Sequence, residues 1–122
     1  MQTAIRTPAT SIHSATLRKA PKPTRIAILP VGYADGLHRA ISNRGRFLVR
    51  GEYAPVRGLV SMDLTAVDVG HIPAANAGDE VRLIGRDGDR SVTPQDHATW
   101  GSTVLYEILC SISKRVPRKY VL

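Results

Sequence analysis

Three settings in this chain place reactive side chains where chemistry could occur. Tyr33 lies in a turn directly after an apolar run, where exposed aromatic residues often serve binding. Met62-Asp63 interrupts two apolar stretches, and Tyr106 stands beside Glu107 on a segment with helical periodicity. Each also has an ordinary reading: a packed turn tyrosine, a bend-forming aspartate, and a core tyrosine with a bonded hydroxyl. Other reactive types are scattered. His13, His38, His71 and His97 show no metal-ligand spacing with cysteine or acids, and each is expected at the surface. The run GYADG at 32–36 is too short and too aromatic for a phosphate-cradling glycine loop. Cys110, the single cysteine, sits among apolar neighbours and is expected to be an inert, reduced thiol of a cytoplasmic protein.

The elements that must position these residues are short. The chain has 122 residues, enough for one core and no second domain of comparable size. Eight prolines and ten glycines spread along it favour many turns and β over α. Strands are expected at 24–30, 47–50, 54–60, 65–69 and 80–84, with a short one at 91–92. Gly51–Tyr53 makes a tight hairpin connection, and 85–89 a charged turn. The period then changes. Thr93-Pro94 is a helix start, with a hydroxyl cap and proline at the first helical position, and that helix ends before Gly101. Ser102 caps a second helix in which Val104, Leu105, Ile108, Leu109 and Ile112 recur at helical spacing. Pro117 stops it, and 119–122 returns as a strand. The expected fold is mostly β: a small antiparallel, partly closed β-barrel with two short helices near the carboxy terminus.

Residues 1–23 read as a poorly structured basic segment, with at most a short strand at 15–18, and 24–122 as the folded domain. The net charge is +7, with basic clusters at both ends and no acid before Asp35. Solvated charge explains these clusters; a nucleic-acid partner would call for the surface aromatic stripe that the chain lacks. The longest apolar run, Ile26 to Val31, is strand-sized and contains Pro30, so no membrane span is expected.

A series of segments makes the chain recognisable. Leu29–Gly36 (LPVGYADG), Arg39 and Ser42-Asn43 resemble a hallmark run of alanine racemases. So do Ala54–Gly58 (APVRG) leading to Met62-Asp63, and Ala77–Val81 (AGDEV) leading to Leu83–Gly85 (LIG). Tyr106–Cys110 (YEILC) and Ser113–Arg118 (SKRVPR) complete the order, over roughly residues 24 to 121. Any one segment is a weak signal; the ordered series is highly specific.

The resemblance implies the carboxy-terminal β domain of a homodimeric enzyme that interconverts L- and D-alanine for peptidoglycan precursors. In that family an amino-terminal (β/α)8 barrel, absent here, holds pyridoxal phosphate on a lysine. The β domain closes the active site of the other subunit. By the resemblance, Tyr33 narrows the substrate entryway and Arg39 guides carboxylates beyond it. Met62 helps hold the substrate carboxylate through its main chain, with Asp63 beside it, and the Tyr106 hydroxyl contacts the cofactor phosphate. Two positions depart from the pattern. Leu59 stands where a second entryway arginine is usual. The family's tyrosine base aligns with Ser14, or with His13 after a one-residue gap. A serine hydroxyl is too weakly acidic for that role, whereas a histidine can exchange protons near neutral pH. The chain is therefore expected not to racemise on its own and to need a barrel domain or second subunit. The alternatives are a protein-interaction or dimerisation module derived from this domain and, less favoured, a basic nucleic-acid-binding barrel.

Overall fold

The computed structural model describes residues 5–16, 23–103, 108 and 112. In chain order these form β1 (Ile5–Pro8), β2 (Ser11–Thr16), β3 (Pro23–Leu29), β4 (Arg46–Val49) and β5 (Glu52–Pro55). β6 (Thr65–Asp68), β7 (Glu80–Asp87), β8 (Arg90–Val92) and α1 (Pro94–Trp100) follow. Short 3-10 turns at Tyr33–Asp35 and Arg39–Ile41 fill the connection between β3 and β4.

All pairings are antiparallel. One sheet runs β1-β7-β4-β5 with β8 folded back on β7, and the other runs β2-β3-β6. Two seams bring the sheets toward a barrel. At the first, the chain passes from β1 into β2 while Ala9 N–H donates to Asp79 O and Thr10 N–H to Ile28 O. At the second, a single bridge joins Val56 to Val67. The barrel is thus partly closed, as expected.

Alternation decides which side chains meet inside. Leu29, Phe47, Val49, Ala54, Val67, Val81 and Leu83 come from the inner faces of five strands and are all buried in one cluster. Full burial of a Leu or Phe stabilises the fold by roughly 1.5–3 kcal/mol. Asp68 holds the second seam from its rim. Its carboxylate accepts from Thr24 Oγ1 at 2.8 Å and Gly70 N–H at 2.9 Å, with the Arg57 guanidinium 3.6 Å away. Burial opposes ionisation of Asp68, but these partners outweigh it and hold the carboxyl below its ordinary pKa.

Several expectations change. Residues 5–16, read as lacking regular structure, form two strands, because backbone pairing to β7 and β3 supplies what their small polar side chains do not. β5 takes in Glu52 and Tyr53 from the connection expected at 51–53, which narrows to Arg50 and Gly51. It ends at Pro55, well short of the strand expected at 54–60; beyond Val56 the chain turns away at Gly58, whose φ is +79°. β7 runs through Gly85 to Asp87, so the charged turn narrows to Gly88 and Asp89. His97 is buried rather than at the surface, stacked on Phe47 with ring centroids 5.8 Å apart and bonded from Nε2 to Leu83 O at 2.7 Å. Helix α1 begins as its residues dictate, with Thr93 and Asp96 in a reciprocal capping box and Pro94 at its start. The second helix, the final strand, Cys110 and Tyr106 lie outside the described residues.

Candidate functional site

The end of the β3-β6 pair carries the residues singled out from the sequence. Pro30 has no N–H to continue the ladder, so the chain leaves β3 there. Gly32 then lies against a second loop. A Cβ at Gly32 would fall 2.1 Å from Ser61 O and 2.5 Å from Met62 O, a separation that only glycine permits. This close approach lets Tyr33 N–H donate to Ser61 O and Ala34 N–H to Met62 O, both at 3.0 Å. The Asp35 carboxylate closes the turn by accepting from Gly32 N–H at 3.1 Å, and Gly36 completes it in the left-handed region at φ +106°. Thr65 Oγ1 adds a bond to Val31 O at 2.6 Å.

Residues 58–64 are fastened on their other side to the turn carrying Arg39. Ser42 Oγ donates to Arg39 O at 2.5 Å and accepts from Val60 N–H at 2.8 Å. Asn43 Oδ1 accepts from Gly58 N–H at 2.7 Å, and Asn43 itself adopts φ +59°, a region that asparagine tolerates. Behind the turn, Ile41 is fully buried. Gly45 leaves room there for both Ile41 and Trp100 of α1. Three loops therefore form one platform on the domain's edge.

What the platform presents is apolar with charged margins. Tyr33, Leu59, Met62 and Leu64 are 49%, 68%, 52% and 51% exposed, and they are the exposed large hydrophobic residues among those described. Arg39 and Asp63 are exposed beside them. The Met62 carbonyl is engaged by Ala34, but its N–H finds no partner among the described residues. An exposed backbone N–H of this kind can receive a carboxylate oxygen. Tyr33, Arg39, Met62 and Asp63 thus lie on loops that are bonded to one another. Nothing in the residue pattern points to the Gly32 contact beyond a glycine just after a strand, nor to the clamp made by Ser42.

Ser14 and His13 belong to β2, away from the platform. Ser14 pairs with Arg25 and His13 with Ile26, which places them on opposite faces of the strand. Leu29 marks the platform end of β3, so His13 lies about 10 Å back along the sheet at 3.3 Å per residue. His13 is exposed, and its Nε2 lies 2.8 Å from Ser11 Oγ. Ser14 sits beside Arg25, whose guanidinium is held by the carbonyls of Ile72, Pro73 and Ala75. The two border an open crevice with Ile12, Arg25, Asn76 and Ala77, too open to exclude water. No lysine occurs between residues 23 and 103, so these loops offer no amine for a Schiff base. Among the described residues no cluster of His, Cys, Asp or Glu suits a metal, and no helix is long and apolar enough to cross a membrane.

Comparison with known proteins adds an independent finding. Residues 8–120 match the family model for the alanine racemase C-terminal domain. The alanine racemase of Halothermothrix orenii is 49% identical over 113 residues, covering 93% of this chain and 30% of the relative. That of Geobacter sulfurreducens is 48% identical over 115 residues, with the same coverage of each. Among solved structures, the alanine racemase of Streptomyces lavendulae superposes with a TM-score of 0.86 at 32% identity, over 97% of this chain and 33% of that one. The Bartonella henselae enzyme, which contains covalently bound pyridoxal phosphate, gives 0.86 at 28% identity, over 97% and 34%. The chain thus spans about a third of the length of the relatives it matches.

Proposed function

This chain belongs to the alanine racemase family as its carboxy-terminal domain, and we propose that it supplies one wall of an active site completed by a barrel domain. The observation that supports this reading is the platform, on whose adjoining loops Tyr33, Arg39, Met62 and Asp63 are all exposed. Arg39 draws an amino acid's carboxylate inward, Tyr33 narrows the path, and the Met62 N–H receives a carboxylate oxygen beside Asp63. Tyr106 contacts the cofactor phosphate. In the complete enzyme, pyridoxal phosphate on the barrel supplies the electron sink that acidifies the substrate's α-proton. Proton exchange on the second face falls to His13, since Ser14 is too weak an acid. The chain alone is inactive, works in the cytoplasm, and acts within a homo-oligomer.

The exposed apolar quartet also favours a second reading, in which the same surface serves only to dock a partner or a second copy. One experiment addresses the surface in both readings. When the barrel fragment of a related racemase is added, amide hydrogen exchange should slow at 31–43 and 58–64 and stay unchanged at β8. Protection confined to other segments, or none at saturating barrel, would overturn the shared-site reading. Slowing at the platform with no barrel, as chain concentration rises, would favour self-association.

A further inference from the structure

We propose that Ser42 and Asn43 are positioning residues that set the width of the substrate opening, an inference that rests on the racemase reading above. On that reading the opening lies between exposed Arg39 on one loop and exposed Leu59 and Met62 on another. These loops belong to different parts of the chain. Between them run the Val60 N–H bond to Ser42 Oγ and the Gly58 N–H bond to Asn43 Oδ1, at 2.8 and 2.7 Å. The two amides flank Leu59, so the pair fixes the backbone around the most exposed of the platform's large apolar residues.

The Ser42 hydroxyl acts in both directions. It donates to the carbonyl of Arg39 while accepting from Val60, so one oxygen fixes the Arg39 backbone relative to the opposite loop. Asn43 works through its backbone as well. Its φ of +59° turns the carboxamide toward Gly58, whose own φ of +79° presents the amide. The Leu59–Met62 segment is held besides by the buried Val60 side chain, by bonds between Ser61 and Leu64, and by the Tyr33 turn on its far side. Without the clamp, Val60 still anchors the segment in the core, but the backbone on either side of Leu59 loses its fixed distance from the Arg39 turn. Side chains that never touch substrate would then govern how well the opening fits it.

The test uses Ser42→Ala and Asn43→Gly, with Ser42→Thr and Asn43→Asp as conservative variants that keep the acceptor. Asn43→Gly removes the acceptor without straining a positive φ. In the isolated chain, amide exchange at Val60 or Gly58 should quicken roughly two- to tenfold, the factor set by the net worth of one hydrogen bond, and Val81 in β7 should be unmoved. With a racemase barrel supplied, KM for alanine should rise at least about threefold with kcat nearly constant, the signature of altered binding rather than chemistry. Ser42→Thr should restore both readings. Uniform acceleration of exchange across the core, or local acceleration with unchanged KM, would overturn the proposal. If the unsubstituted chain gives no activity with a barrel, the functional reading is what fails. The clamp is then judged by exchange alone, and unchanged Val60 and Gly58 amides would refute it.

Discussion

At position 13 a histidine stands beside the site of the family's tyrosine base, and the strand register separates it from Ser14. The two alternate in direction along β2, although both border the same open crevice. With a barrel supplied, His13→Tyr should raise kcat by about 100-fold or more if that position carries the second base, the low end of what general acid–base catalysis contributes. Ser14→Tyr should then leave kcat unchanged. The reverse result would assign the position to Ser14, and no gain from either would remove the base from β2 altogether. Gly32 makes a second prediction at this scale. A Cβ 2.1 Å from a backbone oxygen cannot be absorbed by a side-chain rotation. Gly32→Ala should destabilise the domain by about 1–3 kcal/mol in urea denaturation, as overpacking does elsewhere. A neutral substitution would show that the two loops are not in contact.

Among the elements, those with a strong apolar rhythm were legible in the residues. β3, β4 and β6 follow from alternation or from a continuous buried run, and α1 from the Thr93-Pro94 start. β1 and β2 were not legible, since Thr, Ser and Ala carry no alternation, and β1 is ordered by β7 far along the chain and β2 by pairing with the next strand, β3. The platform was legible as residue types and illegible as geometry. Tyr33 and Met62 stood out, but the backbone contact that joins their loops depends on a glycine that looks like any turn glycine. His97 failed for a similar reason, because nothing near it in sequence reveals that Leu83 O of β7 receives its ring nitrogen. The cap of α1 gives the prediction at this scale. Thr93→Ala removes the acceptor for Asp96 N–H and should cost about 1 kcal/mol in denaturation, whereas Thr93→Ser should be nearly silent.

For the molecule as a whole, pH acts through groups that couple the layers. Burial between Phe47 and Trp100 pushes the His97 pKa down, a direction its bond to Leu83 O and the Asp96 charge oppose without reversing. The unfolded chain therefore takes up this proton first. Stability should be full above pH 6.5, the unfolded value, and fall as pH drops toward the depressed folded value. Asp68 and Asp79 are also lowered, Asp79 chiefly by its bonds from Arg50 and the Asn76 N–H. Their contribution is present above about 3.8 and is lost as pH falls through their folded values. Urea midpoints measured against pH should thus descend in two stages. His97→Phe should abolish the upper stage and leave the lower, and an unchanged profile would contradict the buried histidine. The same layers support the platform, since α1 packs Trp100 near Ile41 behind the Arg39 turn. The central claim, a wall that needs a barrel, is tested most directly by D-alanine formed from L-alanine with pyridoxal phosphate. We predict none from the chain alone and a saturable increase when the chain is added to a family barrel. Turnover by the purified chain by itself, or a barrel indifferent to it, would contradict the account.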